Sequence, residues 1–206
     1  MTQLVAPHVL HVSEYESPSP ELLALRRAAT DGHPVGVVVV PSEFEENLYR
    51  LNNLPVLLRE LFVELAPADP DEDILEEFEH DAIRLVKGAV LLEEAVDAFY
   101  EALEGADFPL TVRRSDQGAF TEVTNRRAAL LQTKQLYAHE WSYSSFENRL
   151  KKTQSIAISP GHVFLHSAER AAEPGIVRAL QQKQPDANIS AVRTDSSGRI
   201  VRIIRG

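Results

Sequence analysis

The feature that most constrains this chain is an apolar repeat over residues 73–104. Apolar side chains recur there in alternating steps of three and four residues, at Leu75, Phe78, Ala82, Leu85, Ala89, Leu92, Val96, Phe99 and Leu103. This spacing is that of a heptad helix seam. It predicts a helical arm packed inside the protein, with a dimerising arm as the alternative. Gly88 lies in the middle of the seam, so the segment is either one long helix or two helices with a turn between them.

Charge is distributed unevenly along the 206 residues. Residues 1–107 contain six Lys or Arg and 23 Asp or Glu, a net charge of −17, whereas residues 108–206 contain 15 and eight, a net charge of +7. The split predicts two regions, 1–107 and 108–206, that either have separate functions or face each other. Because an acidic surface repels phosphates, we expect nucleic acid to contact only the second region.

Composition narrows the class of protein. The chain contains no cysteine, which excludes disulfides, thiolate nucleophiles and cysteine-based zinc sites. The longest apolar run, VGVVVV, is far shorter than the about 20 residues that span a bilayer, and no segment resembles a signal peptide. We therefore expect a cytoplasmic location and no membrane partner. No glycine-rich phosphate loop and no serine-hydrolase or zinc-protease motif occurs, which favours a non-enzymatic role.

Local signals in the first region predict a mostly helical segment with one buried strand. Residues 8–12 are compatible with a short strand. Pro20 predicts the start of a helix, and the β-branched run at 35–40 predicts a strand buried on both faces. Ser42-x-x-Glu45 has the spacing of a capping box, which would open the next helix, and Pro55 opens a further one.

Local signals in the second region predict β-hairpins with short helices. Residues 110–124 indicate a hairpin with its turn at 116–118, and residues 154–167 indicate another around Pro160-Gly161. Residues 173–184 predict a short helix. The last 18 residues predict a basic hairpin that turns at 195–198. The chain as a whole is therefore predicted to be an α+β protein.

The segment 126–152 combines basic and aromatic residues. Ser144-x-x-Glu147 predicts a capping box and a helix over 145–152, and Asn125 is a suitable N-cap for a helix upstream. Apolar and polar residues also alternate over 131–143, so this part is compatible with a strand. The second helix and its serine-rich approach resemble the recognition helices of bacterial helix-turn-helix proteins, over about ten residues.

A recognition helix of this kind implies contact with nucleic acid. Cationic side chains would bind phosphates, and two aromatic side chains would stack on bases of a single-stranded target. The candidates are Arg126, Arg127, Lys134, Trp141, Tyr143, Arg149, Lys151 and Lys152. Three alternatives are that the basic side chains complement the acidic region, that they bind a protein partner, or that they are solvated and have no specific role.

A second candidate site is acidic. Glu76-x-x-Glu79 is followed after fourteen residues by Glu94-x-x-Asp97, a spacing that resembles all-helical nucleotide pyrophosphohydrolases of the MazG kind. The resemblance implies that the four carboxylates hold Mg²⁺, which activates water at a phosphate. On one unbroken helix Glu79 and Glu94 would lie about 22 Å apart, so the site requires a turn near Gly88.

The sequence thus predicts first a non-enzymatic regulatory protein without a cofactor. Its basic region would contact nucleic acid, and its acidic helical region would mediate assembly with a protein partner or with itself through residues 73–104. The alternatives are a Mg²⁺-dependent nucleotide pyrophosphohydrolase that uses the four carboxylates, and an adaptor or chaperone that binds a basic protein.

Overall fold

The structure is a computed structural model that describes residues 10–11, 19–62, 72–115, 121–153, 155 and 157–205. Within these ranges the chain forms eight α-helices and eight strands. The helices are α1 (Pro20–Thr30), α2 (Ser42–Leu51), α3 (Leu54–Leu61), α4 (Glu72–Gly88), α5 (Glu93–Ala102), α6 (Arg126–His139), α7 (Tyr143–Thr153) and α8 (Pro174–Lys183). The strands are β1 (Leu10–His11), β2 (Val37–Val40), β3 (Leu110–Arg114), β4 (Thr121–Val123), β5 (Val163–His166), β6 (Arg170–Ala171), β7 (Ile189–Thr194) and β8 (Ile200–Arg205).

A five-stranded sheet contains strands from both predicted regions. Its order is β1-β2-β5-β3-β4, and every neighbouring pair is antiparallel. In its centre, Leu165 of β5 lies opposite Val38 of β2 and Val112 of β3. β6, β7 and β8 form a second antiparallel sheet, which a short parallel bridge between Val35 and Ile200 connects to the segment before β2. The prediction of a mixed helix and strand fold is confirmed, although strands occur in both halves of the chain.

The central sheet is covered on both faces, because successive side chains of a strand point to opposite sides. Val39 and Phe164 point into a core formed with α1, α8 and the second sheet. Val40, Val112 and Leu165 point into a larger core formed with α2 to α7. The run at 35–40 therefore supplies a strand buried on both faces, as its β-branched composition predicts.

The seam over residues 73–104 is divided between two helices. α4 ends at Gly88 and α5 begins at Glu93, so a single helix over this range is wrong and the alternative with a turn is right. The ammonium group of Lys134 donates to the carbonyls of Lys87 and Ala89 at 2.8 and 2.7 Å, which satisfies acceptors at the end of α4. Within the described ranges, every helix is too short or too polar to cross a membrane.

Two of the three predicted hairpins form. β3 pairs with β4, although the predicted turn at 116–118 lies outside the described residues, and β7 pairs with β8. In the second case Asp195 Oδ1 accepts the N–H groups of Ser197 and Arg199, both at 2.9 Å. The hairpin around Pro160-Gly161 is wrong. β5 already pairs along both of its edges, with β2 and β3, so no edge remains for the preceding residues.

The predicted positions of the helices agree with the structure, whereas most of the predicted capping interactions do not form. Residues 126–139 are helical rather than extended, and Asn125 Oδ1 accepts the N–H of Ala128 at 2.9 Å as an N-cap. Both predicted capping boxes are wrong, because α2 already includes Ser42 and α7 begins at Tyr143. The glutamate of the first box points elsewhere, as described below.

Candidate functional site

Two consecutive arginines of β3 point to opposite faces of the central sheet, and both are buried. Arg113 is fully buried, and its guanidinium donates to the two carboxylate oxygens of Glu21 at 2.9 and 2.5 Å. Arg114 donates to Glu45 Oε1 at 3.1 Å. Both glutamates are buried and both come from the acidic region. Part of the charge split is therefore internal ion pairing between the two regions, one of the alternatives that the sequence left open.

Gly161 packs closely against the Arg114–Glu45 pair. Its N–H donates to Glu45 Oε2 at 2.9 Å, and a Cβ atom at this position would lie 2.6 Å from Arg114 Nη2. Burial raises the pKa of Glu45, and the charge of Arg114 opposes this change. Burial lowers the pKa of Arg114, but the Glu45 and Glu140 carboxylates outweigh it and the net direction is upward. The pair connects α2 to β3, and the Gly161 N–H adds the segment before β5.

Three of the eight nucleic-acid candidates bond to other parts of the chain from buried or half-buried positions, and two exposed ones, Arg126 and Lys151, also bond to the Tyr100 carbonyl and to Glu147. Lys134 caps α4, as described above. Trp141 is 4% exposed, and its indole N–H donates to the phenol oxygen of Tyr49 at 2.6 Å. Arg149 donates to the carbonyl of Glu140 and lies 5.1 Å from the centre of the Trp141 ring. Burial lowers the pKa of this guanidinium. These side chains connect α6, the α6–α7 turn and α7 to α4 and α2.

The other five candidates are more accessible. Arg126 and Arg127 are exposed at the first turn of α6, Lys151 and Lys152 are exposed at the last turn of α7, and Tyr143 is half-buried at the start of α7. The structure thus brings the accessible cations to two places, at the beginning and at the end of the α6–α7 pair.

The four carboxylates of the acidic candidate lie on two helices. The turn that the candidate requires is present, since α4 ends at Gly88. Glu76, Glu94 and Asp97 are exposed and Glu79 is half-buried. Among the described residues, which include all four, no three or more His, Asp or Glu side chains are grouped so that they could hold a metal ion. The structure does not bring this set together as a metal site.

Sequence reasoning missed an apolar surface on the loop between α4 and α5. Val90 is 72% exposed, and Leu92 and Leu51 are each more than one-third exposed. The Asn52 side chain accepts the Val90 N–H and donates to the Val90 carbonyl, both at 2.8 Å, so the loop is fixed as if paired with a strand. Leu92 has the spacing of the predicted apolar seam, and this spacing predicts an interior position although the side chain is 37% exposed.

A stripe of carboxylates adjoins this loop. Glu93, Glu94, Asp97 and Glu101 are all exposed on α5, and at about 100° per residue they span about 100° of the helix circumference. None of the four forms an ion pair with a described residue. We refer to these four residues together with Leu51, Val90 and Leu92 as the α5 face. It combines an ordered apolar centre with negative charge that the described part of the chain leaves unbalanced.

A cavity of about 340 Å³ lies between Tyr49 of α2, α3, the α6–α7 turn and residues 155, 157 and 158. Its walls are formed mainly by Tyr49, Pro55, Leu58, Arg59, Trp141 and Ile158. Most of this surface is apolar or aromatic, and Arg59 is the charged member. The volume lies at the lower end of the range for small-molecule sites, about 300–1,000 Å³.

Comparison with known proteins does not assign this arrangement to a family. No family model matches the chain, and no curated protein matches it.

Proposed function

We propose that this protein is a binding protein whose acidic helical region docks a basic protein partner on the α5 face. The observation that carries the proposal is Val90, an apolar side chain that is 72% exposed on a loop fixed by Asn52 and adjoined by the carboxylate stripe. Single exposed apolar residues are common on protein surfaces, whereas apolar groups collected within a polar rim are typical of docking sites.

The fixed loop supports tight docking. Binding costs free energy when a loop or side chain must be ordered. The two hydrogen bonds between Asn52 and Val90 already hold the loop backbone, and the β-branched side chain of Val90 has few rotamers to lose. An apolar pocket on a partner would therefore receive Val90 at low entropic cost.

The carboxylate stripe specifies the charge of the partner. Glu93, Glu94, Asp97 and Glu101 form no ion pair with a described residue, so a partner with lysines or arginines around an apolar pocket complements this face. Such complementarity increases the association rate and weakens as salt screens it, over about 8 Å at physiological ionic strength. The acidic face would repel the same face of a second copy.

A labelled amphipathic peptide of lysine and leucine tests this proposal. We expect saturable binding by fluorescence anisotropy at low salt, with weaker binding at higher salt. Replacing the four carboxylates by their amides (Glu93→Gln, Glu94→Gln, Asp97→Asn, Glu101→Gln) should weaken binding by about tenfold. Val90→Ser should weaken it by about fivefold, because it removes apolar area from the contact.

Two matched variants serve as controls. Glu76→Gln/Glu77→Gln removes exposed carboxylates from α4, and Leu131→Ser removes an apolar residue that is 57% exposed on α6. Both should bind the peptide like the unmodified protein. Equal affinity of the fourfold α5 variant and the unmodified protein would contradict the proposal. Dimers that form at low salt and disappear in the fourfold variant would identify the basic region of a second copy as the partner.

A second candidate function, contact with nucleic acid, is favoured by the outer side of α7. Ser144, Asn148, Lys151 and Lys152 are exposed and lie within about 100° of the helix circumference. Hydroxyl, amide and ammonium groups on one side of a basic helix are the groups that contact phosphates and bases. Glu147 partly offsets this charge, because it pairs with Lys151 at 2.6 Å.

Titration with labelled single- and double-stranded DNA and RNA tests this second function. We expect binding at low salt whose logarithmic salt dependence falls by about 0.9 for each phosphate contact removed. Lys151→Gln/Lys152→Gln removes two possible phosphate contacts, so the slope of log K against log salt should become shallower by about 1.8. Arg170→Gln/Arg178→Gln, which removes two exposed arginines elsewhere, should leave it unchanged. Absence of binding at low salt would exclude the function.

A further inference from the structure

The cavity described above has a rigid aromatic wall. The ring of Trp141 stacks on Phe62 at 5.7 Å between centres, and Phe62 stacks on Phe146 at 4.6 Å. The Trp141 indole N–H is held by the phenol oxygen of Tyr49 at 2.6 Å. Phe62 and the Arg149 guanidinium, which lies 5.1 Å from the Trp141 ring centre, hold this ring in place from behind the wall. The part of Trp141 that lines the cavity therefore keeps its position on binding and offers an apolar contact to a ligand.

Tyr49 supplies a hydrogen-bond donor at this wall. Its oxygen accepts the Trp141 N–H, and no acceptor for its own proton lies among the described residues. Burial and the nearby Glu45 carboxylate raise the pKa of Tyr49 above its usual range, so the phenol stays protonated at neutral pH. A buried phenol whose proton finds no acceptor in the described part of the chain is completed by an acceptor oxygen from a ligand.

Arg59 supplies positive charge at the same cavity. It is exposed on α3 and makes no ion pair with any described residue. Because a guanidinium binds a carboxylate through two parallel hydrogen bonds, an acidic group on a ligand suits this position. The volume of about 340 Å³ is in the range of small-molecule sites.

From these contacts we infer that the cavity binds a small aromatic carboxylate. The ring lies against Trp141 among Pro55, Leu58 and Ile158, and the carboxylate bonds to Arg59 and to the Tyr49 hydroxyl. This ligand occupies a place separate from the α5 face, so the inference does not depend on the proposed protein partner.

The single tryptophan of the chain, Trp141, makes the site directly observable. Titration with 3-phenylpropionate should produce a saturable change in tryptophan emission. The phenyl ring of this ligand does not emit where tryptophan does, so the signal comes from the protein. Calorimetry should give the same affinity. The neutral amide 3-phenylpropanamide should bind more weakly, by about fivefold, because it lacks the ion pair with Arg59.

Variants assign the contacts. Arg59→Gln should weaken the acid by about fivefold and leave the amide unchanged, and Tyr49→Phe should weaken both ligands by about three- to tenfold. Arg84→Gln, which alters an exposed arginine of α4, is the matched control and should bind like the unmodified protein. Circular dichroism and melting temperature establish that each variant is folded.

Two results would overturn the inference. Absence of both a saturable emission change and binding heat with 3-phenylpropionate would exclude the ligand class. A preference for acid over amide that persists in Arg59→Gln would show that the carboxylate does not bind to Arg59, and the assigned geometry would then be wrong.

Discussion

Arg113→Met is expected to destabilise the protein by about 3 to 5 kcal/mol, the range for breaking a buried ion pair from one side. The substitution leaves the buried Glu21 carboxylate without the two guanidinium N–H groups that it now accepts. It also removes the guanidinium from its position 4.8 Å from the Phe164 ring centre and removes the hydrogen bond to His166 Nε2. Urea unfolding followed by circular dichroism measures the loss.

The double variant Arg113→Met/Glu21→Met distinguishes the ion pair from simple packing. The double variant removes the Glu21 carboxylate that Arg113→Met leaves without its guanidinium, and both variants equally lack the Arg113 donor to His166 Nε2, so we expect the double variant to be more stable than Arg113→Met alone. Arg178→Met, an exposed position on α8, should change the free energy of unfolding by less than about 0.5 kcal/mol. A cost below about 1 kcal/mol for Arg113→Met would contradict this account of the pair.

Local signals were sufficient for much of the secondary structure. Pro20 lies at the start of α1 and the β-branched run gives β2, whereas the seam left one helix or two open and the turn follows Gly88 in the structure. In each case a few neighbouring residues fix the backbone, through proline geometry, period or the low helix propensity of glycine. The C-terminal hairpin forms for the same reason, since Asp195 bonds within its own turn.

Long-range partners explain the predictions that failed. Glu45 has the spacing of a capping box with Ser42, but its carboxylate binds Arg114, 69 residues away, and the N–H of Gly161, 116 residues away. A buried hydrogen bond between charged groups contributes more free energy of stabilisation than a solvent-exposed helix cap. The order of the central sheet is also set by distant segments, and this left no partner for a hairpin at Pro160.

The candidate sites show the same limit. Residue type indicates the charge or aromatic character of a side chain but not whether it points into the protein. For this reason Lys134, Trp141 and Arg149 were grouped with residues that are exposed. One signal was available. Arg113 and Arg114 are consecutive in a predicted strand of a sheet, and consecutive residues point to opposite faces, so a sheet covered on both sides must bury both. The cavity at Tyr49 and Trp141 had no such signal, because its walls come from three separate segments.

His166 should make the protein sensitive to mild acid. It is 1% exposed, its Nδ1–H donates to the Ser167 carbonyl at 2.8 Å, and its Nε2 accepts from Arg113 Nε at 3.2 Å. Burial lowers its pKa to about 4; the Ser167 carbonyl opposes this change, and the nearby Arg113 charge adds to it. Glu169 Oε1 lies 3.5 Å from Nε2 and Glu21 lies nearby, but the Glu169 carboxylate is also shared with Arg113 and Arg202. The folded protein therefore keeps this histidine neutral.

The unfolded chain binds a proton at His166 below its ordinary pKa of about 6.5, whereas the folded protein does so only near pH 4. Stability from this group is complete above about pH 6.5 and is lost as the pH falls towards 4, by about 3 kcal/mol in all. Urea unfolding at several pH values should show this loss, and the curve for His166→Gln should be flatter over the same interval. His139→Gln, at an exposed position of α6, should retain the slope of the unmodified protein. An equal slope in His166→Gln would rule out the histidine as its source.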